Sequence, residues 1–304
     1  MSHQMVTVVV PATSANIGPG FDALGLALGL YDEVTVEATA RSGSSVEVVG
    51  EGSDQLPRDD SHLVVRAMLA AFDRFGVRPP GLSVSCVNGI PQSRGLGSSA
   101  GAIVAGVLAA ARLADHRDDP GHPDTGAALL ALASEIEGHP DNVAACLLGG
   151  FTIAWSDQGS AHAVRLEPAP GLEALVFVPA DGLATTTARG MLPSVVSHQD
   201  AAHGAGRAAL LVEALTRRPE LLLAATEDRL HQHYRAPAMI ATAALVARLR
   251  ADGVPAVVSG AGPSVLALGD GGALSAAEGL AGPGWAARRL ALDLEGARAS
   301  ITTG

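Results

Sequence analysis

The feature that most restricts the folds open to this chain is one stretch, PQSRGLGSSAGAIVAGVLAA, from Pro91 to Ala110. Before it, Leu82, Val84 and Cys86 alternate with other residues at the period of a half-buried strand. Within and after it, Ala100, Ile103, Val104, Val107, Leu108 and Ala111 recur at helical spacing. Strand, glycine-rich loop and long helix follow in that order. Gly95 and Gly97 let the backbone approach a ligand closely, and Ser98 and Ser99 open the helix. The first N–H groups of a helix have no intrahelical partner, and with the macrodipole they form an anion site. Hydroxyls there also reach a Mg²⁺ riding on phosphates. The ordinary alternative is serine N-capping after a flexible loop.

Charge narrows the chemistry further. Thirty-one acidic residues against twenty basic ones argue against nucleic acid or an anionic membrane as partner. All twenty bases are arginine, because the sequence has no lysine. A Walker-type phosphate lysine, a Schiff base and a lysine general base are therefore excluded. An anionic phosphate has to be held by backbone N–H groups, a helix start, arginine or a metal. No apolar run reaches the roughly 18 residues of a membrane span. The N-terminal MSHQMVTVVVPATS carries no basic region or cleavage site, and Cys86 and Cys146 lack any ligand spacing. Buried reduced thiols and a cytoplasmic location are expected.

The 304 residues are expected to form two domains, 1–160 and 161–304, divided where Asp, Gly, Ser and Pro accumulate near 157–171. Strands are expected at 5–10, 33–39, 45–50, 82–87, 151–155 and 174–178, and a strand–turn–strand at 256–268. Helices are expected over 61–75, with Ser61 as N-cap and Gly76 as stop, and then at 126–137, 203–216, 219–230 and 237–251. The stretch 115–124 reads as a loop. This irregular order of strands and helices indicates α+β.

Two further glycine-rich segments stand out. PATSANIGPGFDALG, Pro11–Gly25, contains Gly18, Gly20 and Ala23, a loose match to a dinucleotide fingerprint followed by a helix-like run. Pro11 ends the strand well before Gly18, which counts against that reading. Asn16 and Asp22 are better read as polar groups facing a substrate. SGAGPSVLAL, Ser259–Leu268, reads as a hairpin connection, or as a loop in which Gly260–Gly262 closes over substrate or phosphate.

Together, in this order, the three segments resemble the GHMP kinase superfamily, which binds ATP on a GLGSS loop without a Walker lysine. PATSANIGPGFDALGLAL is similar to its homoserine-phosphorylating branch, whereas the galactose and mevalonate branches carry a GEH element missing here. EGHPDN at Glu137–Asn142, TTTARGMLP at Thr185–Pro193 and DRLHQHYR at Asp228–Arg235 extend the resemblance over most of the chain. One departure is His62, where many relatives carry asparagine.

The resemblance implies a two-domain α+β fold, an N-terminal domain like ribosomal protein S5 domain 2 and a C-terminal ferredoxin-like domain, with a site between them. It implies ATP and Mg²⁺ as cofactors, L-homoserine as substrate, and a homodimer. ATP would be held by Pro91, Arg94, Gly95, Leu96, Gly97, Ser98, Ser99, Ala100 and Thr185. Ser99 (or Ser98) and Glu137 would bind the metal, with Glu135 as the alternative to Glu137. Arg189 and Arg235 suit the substrate carboxylate because guanidinium binds it bidentately. Asp22 suits the ammonium, with Asn16, His139 and Gly260 in neutral contacts. Asn142 would orient the γ-hydroxyl, Asp141 would have a place in the site without a firm chemical role, and Arg189 and Glu137 would assist catalysis. A different alcohol for a GHMP kinase, a dinucleotide oxidoreductase and a silent ATP-binding regulator are the competing readings.

Overall fold

The computed structural model describes residues 4–114 and 126–303; the expected loop at 115–124 lies outside them. β1 (Gln4–Asn16) and β2 (Gly20–Thr39) form a long antiparallel pair. Val6, Val8 and Val10 of β1 are fully buried at period two, which is why this strand faces a core. Then come β3 (Gly43–Gly50), α1 (Leu63–Phe75), β4 (Gly81–Asn88), α2 (Ser98–Leu113), α3 (Gly126–Glu137) and α4 (Asp141–Leu148). The hairpin of β5 (Phe151–Asp157) and β6 (Ser160–Leu166) follows.

In the first sheet β2 pairs with β4, which pairs in parallel with β3, and the early part of β2 pairs with β5. Helices α1 to α4 cover one face, where Phe72, Met68, Ile103, Val107 and Leu130 share a core with the β1 valines. Each such buried side chain contributes roughly 1.5–3 kcal/mol. Gly106 of α2 lies against the Val64 carbonyl of α1, so any side chain there would force the two helices apart. Ser61 is not the N-cap of α1; His62 holds that position, while Gly76 closes the helix in the left-handed conformation as expected.

The second half contains β7 (Glu173–Pro179), α5 (Thr185–Gly190), α6 (His198–Thr216), α7 (Leu222–Ala225), α8 (Gln232–Arg235) and α9 (Ile240–Ala251). β8 (Ala256–Val258), β9 (Val265–Gly269), α10 (Gly271–Glu278), β10 (Trp285–Leu290) and β11 (Arg298–Thr303) complete it. The expected helix over 219–230 breaks up into a 3₁₀ turn at Pro219–Leu221 and the short α7. The second sheet runs β10-β7-β9-β8, antiparallel throughout. Both of its faces are buried: Val176 and Leu266 pack toward α6, and Phe177 and Val265 toward α9 and α10. The sheets do not divide at residue 160. β6 belongs to the first sheet, and β11, at the far end of the chain, pairs with β1. Cys86 and Cys146 are buried free thiols, and burial pushes the Cys86 thiol up to about 12. Among the described residues no helix is long and apolar enough to cross a membrane.

Candidate active site

The three glycine-rich segments meet. Thr13 N donates to Leu96 O at 3.0 Å, and Gly260 N donates to Ala15 O at 3.1 Å. Ser259 Oγ lies 2.7 Å from Gly95 O and 2.8 Å from Ser14 Oγ, closing the third segment on the other two. This changes the reading of the glycines. Gly95 and Gly97 have φ of +73° and +71°, so glycine is required at both. The space a side chain would take is already filled by protein: the Ser259 carbonyl at Gly95 and the Thr13 hydroxyl at Gly97. Close approach here is between chain segments, and it aims the start of α2 into a cavity.

The dinucleotide reading fails on secondary structure. After Gly18 the chain enters β2 at Gly20, so the expected helix-like run is a strand and no helix start follows the turn.

Leu96, Gly97, Ser98 and Ser99 line the cavity, with Gly95 and Thr185. Ser99 Oγ donates to Glu137 Oε1 at 2.6 Å, joining the start of α2 to the end of α3. Burial raises the Glu137 carboxyl above its ordinary pKa, and the serine bond opposes that rise. Glu135 is exposed and takes no part in the wall. Pro91, Arg94 and Ala100 are also outside the wall. Arg94 donates to the carbonyls of Pro179 (3.1 Å), Gln92 (2.8 Å) and Ala180, tying the loop to the second half of the chain.

The start of α4 supplies Asp141 and Asn142. Thr13 Oγ1 donates to Asn142 Oδ1 at 2.8 Å, which fixes the amide, and Asn142 Nδ2 donates to Asp141 Oδ1 in a long bond of 3.5 Å. Asp141 Oδ1 accepts from Asn142 N at 2.8 Å and lies 2.7 Å from His139 Nδ1. That bond to Asp141 raises the His139 pKa, against burial. Asp141 is thus engaged within the protein.

The charged groups gather elsewhere in the same cavity. Arg189 Nη1 and Nη2 donate to the two Asp22 oxygens at 2.8 and 2.9 Å, a bidentate fork across 167 residues of sequence. Asn16 donates to Gly260 O at 2.9 Å and accepts from Asp22 N at 2.9 Å, which sets the Asp22 backbone at φ +55°. Arg235 is 2% exposed. Its partners are neutral: Ala188 O, Gly260 O and the Nδ1 of His231, whose Nε2 faces Gly18 O at 2.8 Å. Burial, with the nearby Arg189 charge, lowers the Arg235 pKa. A buried guanidinium without an anion in contact is costly, and a ligand carboxylate would relieve it.

The sequence reading missed Thr13, His231 and Asp32. Thr13 and His231 stand inside stretches that carried the resemblance, but nothing local marks either as the residue that locks a neighbour. Asp32 lines the cavity and accepts from Gly89 N and Ile90 N at 2.8 and 2.9 Å. Burial pushes its carboxyl up to about 6.

A helix start with a serine–glutamate pair, an oriented amide, a carboxylate paired with one guanidinium and a second, buried guanidinium thus share one cavity. The family model described as the GHMP kinases N terminal domain matches residues 62–150, which hold the loop, α2 and α4. A homoserine kinase of Streptomyces avermitilis is 62% identical over 96% of this chain and 94% of its own. Another, from Streptomyces coelicolor, is 60% identical over 96% and 93%. Among solved structures, a homoserine kinase from Cytophaga hutchinsonii superposes with a TM-score of 0.85 at 26% identity, covering 97% of both chains. A mevalonate diphosphate decarboxylase from Staphylococcus aureus shares the fold at 16% identity and a TM-score of 0.70, covering 98% of both. With the loop, the acidic motif and the charged cluster in one cavity, and identity of this order along nearly the whole sequence, the chain belongs to the homoserine kinases of the GHMP kinase superfamily.

Proposed function

We propose that this enzyme transfers the γ-phosphoryl group of ATP to the γ-hydroxyl of L-homoserine in the cytoplasm, yielding O-phospho-L-homoserine and ADP. The observation that carries the reading is the cavity's division of labour. Neutral backbone donors at the start of α2 suit phosphate, while Asp22, Arg189 and Arg235 suit an ammonium and a carboxylate. Homoserine presents both charges and a hydroxyl.

Phosphoryl transfer needs positioning and charge neutralisation more than covalent help. The NH₂ of Asn142, held only by a long bond to Asp141, orients the hydroxyl oxygen toward the phosphate. His139 lies beside it in the cavity, and its bond to Asp141 raises the imidazole pKa. Ser99 Oγ and Glu137 Oε1 form a hard oxygen pair suited to Mg²⁺, which prefers one or two protein oxygens alongside substrate phosphates. When bound, the ion would neutralise phosphate charge. Among the described residues no cluster of three His, Cys, Asp or Glu side chains could hold a metal by itself. The metal would therefore arrive with the nucleotide.

ADP release by the purified protein is to be compared for homoserine, mevalonate, galactose and shikimate. Homoserine should be turned over far faster than the other three. Equal turnover of mevalonate or galactose would refute the assignment. Glu137→Gln should lower kcat and raise the Mg²⁺ requirement, while Glu135→Gln should change neither.

A further inference from the structure

Arg235 has little freedom to turn. Its Nε donates to Ala188 O at 3.3 Å, and its Nη1 donates to Gly260 O at 3.3 Å and to His231 Nδ1 at 3.1 Å. Among the described residues Nη2 has no hydrogen-bond partner, and Arg235 lines the cavity. Nη2 is therefore the nitrogen left for a ligand carboxylate. Which edge of the guanidinium faces the cavity is set by the three acceptors behind it. Two are backbone carbonyls, and His231 is the one side chain among them.

His231 is fully buried, and its neighbours fix its proton. Gly18 O, 2.8 Å from Nε2, can only accept, so Nε2 carries the hydrogen. Arg235 Nη1 can only donate, so Nδ1 is bare. The Phe21 ring lies 5.4 Å away. Asp228 Oδ2, 3.7 Å from Nε2, accepts from the backbone N–H groups of His231 and Gln232. Asp22, the other acid near enough to act on the ring, is forked by Arg189. Burial holds the imidazole below its ordinary pKa against the pull of Asp228, so it stays neutral. A carboxylate in its place would pair with Arg235 and cancel the charge that a ligand has to meet. A protonated imidazole would set an N–H and a second positive charge against Nη1. A neutral acceptor orients the guanidinium and leaves its charge whole.

We propose that His231 is the positioning residue of the carboxylate site: as a neutral acceptor on Nδ1 it turns Arg235 Nη2 toward the cavity, and so sets the preference for an amino-acid alcohol over a simple amino alcohol. The proposal rests on the assignment of Arg235 to the substrate carboxylate.

The test is kcat and KM for L-homoserine and for 3-aminopropan-1-ol, its analogue without the carboxylate, at saturating ATP. Asparagine places an oxygen where Nδ1 stands, and glutamine an amide N–H where Nε2 stands, so two variants separate the two bonds of the ring. His231→Gln should raise KM for homoserine about ten- to a hundredfold, the value of one hydrogen bond to a charged group, with kcat within about twofold and the analogue unaffected. His231→Asn should keep the preference for homoserine within about threefold of the wild type, even where loss of the Gly18 bond lowers the melting temperature. Equal loss of preference in both variants, or loss in His231→Asn alone, would overturn the proposal. Arg235→Ala separates it from the reading beneath. A preference unchanged in Arg235→Ala sinks both, whereas one lost there and kept in His231→Gln sinks this proposal only. Should His231→Gln fail to fold, the ¹⁵N spectrum of the wild-type enzyme decides. One imidazole, missing from His231→Asn, should stay neutral with its proton on Nε2 down to about pH 6, below the ordinary histidine value of about 6.5. A proton on Nδ1 at neutral pH would overturn the proposal.

Discussion

The two working parts of the cavity are built in opposite ways. The side proposed for phosphate is contiguous: Gly95 to Ser99 enter α2 directly, and backbone N–H groups at a helix start are its chemistry. The side proposed for the amino acid is assembled from side chains on β2, α5 and α8, and its central ion pair spans 167 residues. One part depends on local conformation, the other on how the two halves of the chain are packed. A change in the first should disturb folding and nucleotide together. A change in the second should act on one substrate.

Gly97→Val tests the first half of that contrast and should have the largest effect. It places a β-branched residue at φ +71° and drives its Cβ into the Thr13 hydroxyl. Thr13 in turn holds Asn142, so the damage reaches the oriented amide. ATP binding by calorimetry should be lost, and the melting temperature should fall. If Gly97 served only to let the backbone approach phosphate, the valine would fill the phosphate's space and leave the fold intact. A stable variant that has lost ATP binding would favour that simpler picture.

Asp22→Asn tests the second half. A charge-assisted contact is worth roughly 1.5–3 kcal/mol, so kcat/KM for homoserine should fall about ten- to a hundredfold. KM for ATP should stay within about twofold, because no phosphate contact is touched. Preference for homoserine over 4-hydroxybutyrate, which lacks the ammonium, should narrow. If both alcohols weaken by the same factor in steady-state kinetics, Asp22 serves only to hold Arg189 and the comparison breaks.

Asp32 sharpens the contrast with the smallest effect, since it is a buried acid on the cavity wall held by two backbone N–H groups, with no cation paired to it among the described residues. Its folded pKa, about 6, stands above the ordinary 3.8, so the native state binds the proton more tightly than the unfolded chain. Stability from this group is full below pH 3.8, declines as pH rises through 6, and then levels off. The cost above pH 6 is about 3 kcal/mol for a shift of this size. Asp32→Asn keeps an acceptor for Gly89 N and Ile90 N but adds an amide NH₂ in need of a partner. A net gain of about 1 kcal/mol is expected in urea unfolding at pH 8, shrinking to nothing or reversing near pH 4. A gain of equal size at both pH values would show that charge burial is not its source.

Legibility followed the same division. The strand, loop and helix around Gly97 could be read directly, because period-two and helical spacing and glycine punctuation are local signals. Gly18 was harder: the apolar run after it resembles a helix by composition, yet it is Gly20–Thr39 of β2, held by a long pairing with β1 and a short one with β5. Sheet partners override local propensity there. Glu135 and Glu137 could not be separated by motif alone; in the fold it is Glu137 that Ser99, on the other helix, bonds.

By itself the sequence determined that no lysine could take part, that phosphate had to meet backbone donors, and that GLGSSA would open a helix. These follow from residue chemistry and from bonds closed within a few positions. Tertiary structure alone decided that the two site glycines pack against Ser259 and Thr13, and that Arg189 forks onto Asp22. It also decided that Arg235 lies buried among neutral partners, and that β11 returns to the first sheet. The reason is that burial and long-range pairing depend on which distant segments exclude water from one another, and no local pattern encodes that choice.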